Sequence, residues 1–243
     1  MSKSTGPKLL FLDIETCPIE AYTWGLFDQN IGLDMIKKDW SILSWAAKWQ
    51  GSNKIHQMDV ERLSEKKMLK GMWDLLDKAE IIVTQNGTRF DAKKLNARFI
   101  AYGMTPPASY RHIDTLRLAK KYFAFTSNKL EYMAKFLETK HQKLKHKKFP
   151  GFELWSACLG GVKAAWRQMR RYNKYDVIVL EEVYNKLIVW DPAYRTPDRC
   201  TCGSTSYKSN GFFFSAVGTK YQRYRCNDCG AEVRDRKKAA LDG

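Results

Sequence analysis

The sequence predicts an α/β fold: a mixed five-stranded sheet with helices on both faces, followed by a small C-terminal cysteine-rich module. Three observations predict it. Apolar segments run in the order strand, strand, strand, helix, strand, helix, strand, then helices, which argues for a mixed sheet covered by helices. The 243 residues suffice for one sizeable core and an appendage. Four of the six cysteines (Cys200, Cys202, Cys226 and Cys229) fall within thirty residues near the C-terminus.

The first strand is Phe11-Leu12-Asp13-Ile14-Glu15-Thr16, which closes an apolar run begun at Leu9-Leu10. Side chains two apart on a strand share a face. Asp13 and Glu15 therefore stand side by side while Ile14 packs on the other face. Two like charges at the end of a buried strand are costly unless a cation lies between them. Two more strands follow, Trp40 to Trp49 and Lys54 to Met58, joined by the turn Gly51-Ser52-Asn53. With the first they form three consecutive strands, read as antiparallel. Ser64 caps a helix whose apolar face is Met68, Leu69, Met72, Trp73, Leu75 and Leu76. Glu80 to Thr84 is a short buried strand that ends in the turn Gln85-Asn86-Gly87-Thr88. A helix from Phe90 to Tyr102 is stopped by Gly103, with Pro106-Pro107 beyond. Tyr110 to Asp114 is the fifth strand.

Leu116 to Lys120 and Lys129 to Leu137 are helical. Lys135 to Lys148 then carries six lysines plus His141 and His146. That tract reads equally as a solvated charge run or as a loop that touches phosphates. Neither histidine has a cysteine or carboxylate nearby in sequence, so neither is taken as a metal ligand. Gly160-Gly161 precedes a long helix, Val162 to Val189. Its apolar positions recur at helical spacing, yet it contains Asp176, with Tyr172 four residues earlier on the same face. The domain reading is 1–190 for the sheet-and-helix domain, 191–199 for a proline-containing linker, and 200–243 for the cysteine module and a basic tail.

Lys and Arg outnumber Asp and Glu by 42 to 26, a net charge of +16, which favours a polyanionic partner. No apolar run approaches the roughly 20 residues of a membrane helix, and the N-terminus lacks the apolar stretch of a signal peptide. The expectation is a cytoplasmic protein with no membrane partner. Thiols clustered in such a chain suggest a metal rather than disulfides.

The acidic residues carry a family resemblance. Phe11-Leu12-Asp13-Ile14-Glu15-Thr16 resembles the first motif of the DEDD exonucleases, the ribonuclease H-like superfamily that includes polymerase proofreading domains. Val83-Thr84-Gln85-Asn86-Gly87-Thr88-Arg89-Phe90-Asp91 resembles the second motif, and Tyr172-Asn173-Lys174-Tyr175-Asp176 the third; Tyr172 marks the tyrosine subgroup. Gln85 departs from the pattern, where many relatives have His. The resemblance covers about residues 8–190. The stretch from Asp114-Thr115-Leu116 to Ser127-Asn128-Lys129-Leu130 is also similar to exonuclease-like proteins of bacteria and their phages, which implies the cytoplasm of a bacterial cell, with a phage-encoded origin open.

What the resemblance implies is specific. Asp13, Glu15, Asp91 and Asp176 hold two Mg²⁺ or Mn²⁺ ions, a pair that stands about 4 Å apart in two-metal sites. Asp13 is shared by both ions, Glu15 and Asp176 complete one site, and Asp91 holds the other partly through water. Tyr172 orients the attacking water. It is not assigned as a full base, since free tyrosine titrates at about 10. Among substrate contacts, Asn86 either hydrogen-bonds its turn or touches substrate. Phe90 is core or base-stacking. Ile14 and Thr16 form a floor beneath the terminal nucleotide.

Cys200-Thr201-Cys202-Gly203 and Cys226-Asn227-Asp228-Cys229-Gly230 resemble the two knuckles of a zinc ribbon. Four thiolates suit a closed tetrahedral site, hence one structural Zn²⁺. The first pair departs from the usual spacing by having one residue in the gap instead of two. The ribbon's aromatics and Arg223, Arg225, Arg234 and Arg236 suit stacking on bases and pairing with phosphates, and equally suit a small core or a protein contact.

The functional expectation is a two-metal-ion 3′–5′ exonuclease acting on single-stranded nucleic acid, with DNA favoured over RNA. The alternatives are an RNA exonuclease, a structure-specific endonuclease, and a non-catalytic nucleic-acid-binding adaptor.

Overall fold

The computed structural model describes residues 7–144, 148–191, 200, 202 and 204–239. The linker from 192 to 199, His146, Thr201, Gly203 and the tail from 240 lie outside the described residues, as does the side chain of Arg236.

β1 (Leu9–Thr16) is followed by a short pair, β2 (Glu20–Ala21) and β3 (Ile36–Lys38), then by β4 (Ile42–Trp49) and β5 (Ile55–Asp59). After α1 (Glu65–Leu76) come β6 (Ile81–Thr84), α2 (Asp91–Ala101) and β7 (Arg111–Asp114). Four helices complete this part: α3 (Thr115–Tyr122), α4 (Leu130–Phe136), α5 (Glu153–Leu159) and α6 (Lys163–Leu187). The main sheet has five strands in the order β5-β4-β1-β6-β7. It is mixed: β4 runs antiparallel to β1 and β5, while β6 and β7 run parallel to β1. β1 is thus central, which is why its first residues are apolar on both faces.

The alternation in β1 sorts its side chains between two cores. Leu10, Leu12 and Ile14 pack with Met68, Met72, Leu95 and Phe99 from α1 and α2. Leu9 and Phe11 pack with Leu118, Met133, Val177, Leu180 and Tyr184 from α3, α4 and α6. Phe11 meets the Tyr184 ring edge-on at 5.3 Å between centroids. Continuing the second parity, Asp13 and Glu15 face α6, the helix that carries Asp176.

Ser64 caps α1 as expected; its hydroxyl accepts from the Lys67 amide at 3.4 Å. β4 begins at Ile42 rather than Trp40, because the Ser41 amide turns to Cys17 Sγ at 2.9 Å and the Ile42 amide to Glu65 Oε1 at 3.0 Å. The sequence reading identified neither β2–β3 nor α5. The latter spans seven residues, too few for a helical period to stand out beside Phe149-Pro150-Gly151. A second sheet, of order β10-β9-β8, is formed by β8 (Tyr207–Phe214), β9 (Lys220–Cys226) and β10 (Glu232–Lys238). Among the described residues no helix is long and apolar enough to cross a membrane.

Candidate active site and cysteine cluster

The C-terminal end of β1 and the first half of α6 meet at a cluster of carboxylates. One oxygen from each of Asp13, Glu15 and Asp176 can be chosen so that all three lie within 4.8 Å of one another. α6 brings three consecutive needs to this point. Asp176 supplies the third carboxylate, and Tyr172 lies one turn earlier. Asn173, buried between them, donates from Nδ2 to Asp13 Oδ2 at 2.6 Å and to the Asp13 carbonyl at 3.3 Å. The Ser44 hydroxyl in turn donates to Asn173 Oδ1 at 3.4 Å. On the other flank the Trp155 indole N–H of α5 hydrogen-bonds Glu15, and the Trp155 ring meets Tyr172 edge-on at 6.2 Å.

Asp91 enters from the first turn of α2. It stands outside the trio, its Oδ1 accepting from the Ile14 amide at 3.1 Å, but its charge still acts on Asp13 and Glu15. The turn that delivers it is braced from below. Asp114, at the end of β7, accepts from the Asn86 amide at 2.8 Å, the Thr88 amide at 3.2 Å and the Thr88 hydroxyl at 2.6 Å, and also caps α3 through Leu116. Asn86 sits at φ 63°, in the left-handed region that Asn tolerates better than most residues. Gly87 is packed onto Thr84 so closely that a Cβ there would lie 2.2 Å from the threonine hydroxyl. Gln85 is occupied structurally: its amide donates to the Asn128 carbonyl at 2.8 Å and its carbonyl accepts from the Thr115 hydroxyl at 2.5 Å.

A cation sits among the acids. Lys143 Nζ donates to Asp176 Oδ2 at 2.9 Å and lies 4.8 Å from the centroid of the Tyr172 ring. Burial alone would lower the Lys143 pKa, but the charge of Asp176 and hydrogen bonds to Tyr172 and Asp176 hold it above the ordinary lysine value. The carboxylates respond in the opposite sense. Burial pushes Asp13 well above the usual range, and the charges of Asp176, Glu15 and Asp91 add to it. Glu15 is raised to about 8, by burial first and then by Asp176, with Lys143 opposing. Asp91 is raised to about 7 by burial, against the hydrogen bonds from Ile14 and from its own amide. Tyr172 is also raised, by burial and then by Asp176, so its hydroxyl stays protonated at neutral pH.

Asp13, Asp176, Asn86 and Lys143 line an open cleft of about 540 Å³, together with Lys120 and Lys129. The lining thus sets three lysines beside three acids, Glu131 being the third. The remaining sequence candidates are placed differently. The Ile14 side chain is buried in the opposite core, and only its amide reaches the site, at Asp91. Thr16 is half-buried just past the register shift that ends the β1–β4 ladder. Phe90 is exposed as the residue before α2, with Lys94 Nζ 5.8 Å from its ring. Sequence reasoning did not single out Asn173, Trp155 or Asp114 and read Lys143 only as one of six tract lysines. His141 finds its carboxylate on α6, Nδ1 lying 2.6 Å from Glu182 Oε1.

The second metal-ligating set is the cysteine cluster. The sulfurs of Cys200, Cys202, Cys226 and Cys229 all lie within 4.8 Å of one another. Cys200 and Cys229 are 3.3 Å apart and Cys202 and Cys226 3.7 Å, far beyond a disulfide bond. A tetrahedral Zn²⁺ with about 2.3 Å Zn–S bonds needs sulfurs about 3.8 Å apart, so the donors fit despite the one-residue gap in the first pair. The Cys226 thiol feels burial upward, yet backbone amides of Cys229 and Asp228 bring it down to about 7, whereas burial pushes Cys202 up to about 11 and raises Cys229 as well, so only a bound cation would hold all four as thiolates.

A central β1 with acids at its end, the antiparallel β4 and then β5 on one side, the parallel β6 and β7 on the other and a long helix across the acids defines the ribonuclease H-like class of α/β proteins. The family model described as the RNase_H superfamily matches residues 10–188, and the chain belongs to that superfamily. Among solved structures it is similar to the family B DNA polymerase of the hyperthermophilic archaeon Pyrobaculum calidifontis, with a TM-score of 0.56 and 15% identity. The similarity covers 76% of this chain and 25% of the polymerase, so the chain spans about a quarter of that protein. Among curated proteins nothing matches the sequence. Membership of a nuclease superfamily supports a nuclease activity and a nucleic-acid substrate.

Proposed function

We propose that the protein is a metal-dependent 3′–5′ exonuclease that removes nucleotides from the 3′ end of single-stranded nucleic acid, with DNA favoured over RNA. The observation that carries this reading is the trio Asp13, Glu15 and Asp176, held within 4.8 Å, with Asp13 and Asp176 opening onto a cleft that Lys120, Lys129 and Lys143 also line. Three acids so close together, Asp176 buried and Asp13 and Glu15 half-buried, are unfavourable unless a cation neutralises them. Their hard oxygens suit Mg²⁺ or Mn²⁺. The likeness to a DNA polymerase fold agrees with DNA as substrate but does not choose it.

Asp13, Glu15 and Asp176 would hold one ion, and Asp13 with Asp91 the second. Bound there, the ions would lower the pKa of a coordinated water and stabilise charge on the phosphate and on the departing oxygen. The chain's own residues do the rest. Asn173 fixes Asp13 from below and Trp155 fixes Glu15. Tyr172, protonated at working pH, positions the water through its hydroxyl and is not the proton acceptor. Lys143, Lys120 and Lys129 attract the phosphate chain into the cleft. Water oxygen forms the new bond to phosphorus and gives up its proton to solvent, the bond from phosphorus to the 3′ oxygen of the preceding nucleotide breaks, that oxygen takes up a proton from solvent to become a hydroxyl, and a nucleoside 5′-monophosphate leaves. We propose one structural Zn²⁺ on the four cysteines, with 1–190 and 200–243 as separate domains.

The test is digestion of 5′-labelled DNA and RNA single strands in Mg²⁺ or Mn²⁺, beside a circular strand and an EDTA control. A ladder shortening from the 3′ end, lost in EDTA and in Asp13→Ala, is the expected result. Full activity of Asp13→Ala sinks the proposal, and cutting of the circle turns it to an endonuclease.

A further inference from the structure

The two faces of the second sheet have different chemistry. In an antiparallel sheet paired residues point to the same side. Cys226 pairs with Tyr207, and Tyr224 with Val233, so this side of β9 packs toward the cysteine cluster; Cys226 and Val233 are buried. The other side carries Lys208 opposite Arg225, Phe213 opposite Tyr221, and Arg234 opposite Arg223. Lys208, Arg225 and Arg234 are exposed, and the Phe213 ring is open to solvent.

On this face cations and rings are interleaved. The Arg234 guanidinium lies 4.7 Å from the Phe213 centroid and 4.8 Å from that of Tyr221. Among the described residues the face has one carboxylate, Glu232, which lies 3.5 Å from Arg223, 3.8 Å from Arg225, and accepts from the Asn210 amide at 2.7 Å. One acid against four cations orients two arginines and leaves the face strongly positive. Arg234 and Lys208 have no carboxylate partner among the described residues. Arg223 and Arg225 are two residues apart on one strand, roughly 6.6 Å, a step that an extended single strand can follow from phosphate to phosphate.

Resting on the proposed nuclease reading, we infer that this face (Lys208, Phe213, Tyr221, Arg223, Arg225 and Arg234) is a sequence-independent binding site for single-stranded nucleic acid, separate from the acidic cleft. Cations track the phosphates and the two rings stack on bases. A protein ligand would need an acidic surface and would leave the rings without their natural stacking partners.

The experiment uses the full chain. An Arg223→Gln/Arg225→Gln/Arg234→Gln variant, in an Asp13→Ala background so that substrate survives, is titrated with a long fluorescent single strand at several salt concentrations. Zinc content and circular dichroism confirm folding, and the corresponding triple Arg→Lys variant keeps the charge. Affinity is expected to fall at least tenfold in the Gln variant, and the slope of log affinity against log salt by about 2, with the Lys variant retaining the slope. With Asp13 restored, hydrolysis of a trinucleotide is expected to be unchanged while KM for the long strand rises. Unchanged affinity and slope in the Gln variant overturn the inference and leave the face to a protein partner. Absent hydrolysis in the wild type with face-dependent binding intact overturns the nuclease reading instead.

Discussion

Replacing Lys143 with Met tests the electrostatic balance of the acidic site directly. Lys143 donates to Asp176, and the two side chains are 27% and 3% exposed. Breaking a buried ion pair by removing one partner costs about 3–5 kcal/mol; Lys143 keeps some solvent contact, so about 2 kcal/mol is expected in EDTA at pH 8. The pH dependence follows from the neighbours. Glu15 is raised from 4.5 to about 8, and Asp13 is raised as well. A group with a raised folded pKa contributes stability that is complete below its unfolded value and lost as pH climbs through the folded one. Lys143 lowers both, so its removal deepens that loss. At pH 5 both acids keep their protons in the fold, so their share of the penalty vanishes and only the loss of the Asp176 contact remains. Urea unfolding measures this. With a slope of about 2 kcal/mol/M, the midpoint falls by about 1 M at pH 8 and by less at pH 5. Saturating Mn²⁺ replaces the missing positive charge and narrows the gap. An equal penalty at both pH values, with and without Mn²⁺, would refute this account of the site.

Three further outcomes are expected. Tyr172→Phe lowers kcat about tenfold to hundredfold with little change in KM; because the wild-type hydroxyl does not titrate near neutrality, the pH–rate profile keeps its shape. Gly87→Ala drives a methyl to 2.2 Å from the Thr84 hydroxyl, which itself meets His112 Nε2 at 2.8 Å. Overpacking of about 2 kcal/mol lowers Tm by about 4–8 °C in calorimetry, and activity falls with it because the same turn delivers Asp91. Cys226→Ser abolishes the single equivalent of zinc released by a mercurial in a colorimetric chelator assay, while trinucleotide hydrolysis persists.

The parts of this fold visible in the sequence are those set by local period. Alternation along β1 placed Asp13 and Glu15 together on the face away from Ile14, and the 3.6-residue period of α6 put Tyr172 and Asp176 on one side. The five strands and the three leading helices follow from apolar runs and from caps such as Ser64. What escaped was set by contacts distant in sequence. Asn173 reaches Asp13 across 160 positions and Lys143 reaches Asp176 across 33. No local pattern separates Lys143 from its five neighbouring lysines; only the path of the chain after α4 does. Trp155 was hidden because α5 is too short to show a period. Asp114 read as a strand end, and its service to the Asn86 turn requires β7 to lie beside β6.

The charge distribution explains why these distant partners are needed. A chain of net charge +16 attracts phosphates, yet the centre of its cleft is acidic and repels them. The fold does not dilute this conflict; it concentrates the acids on β1, α2 and α6 and supports each one separately, through Asn173, Trp155, the Ile14 amide and Lys143. The first three are neutral donors. They fix geometry without cancelling charge, so the raised pKa values of Asp13, Glu15 and Asp91 persist. A purely structural cluster would be relieved more cheaply by replacing one acid with an amide of the same shape. Carboxylates held in position but reluctant to ionise on their own suit a divalent cation, whose binding displaces their protons.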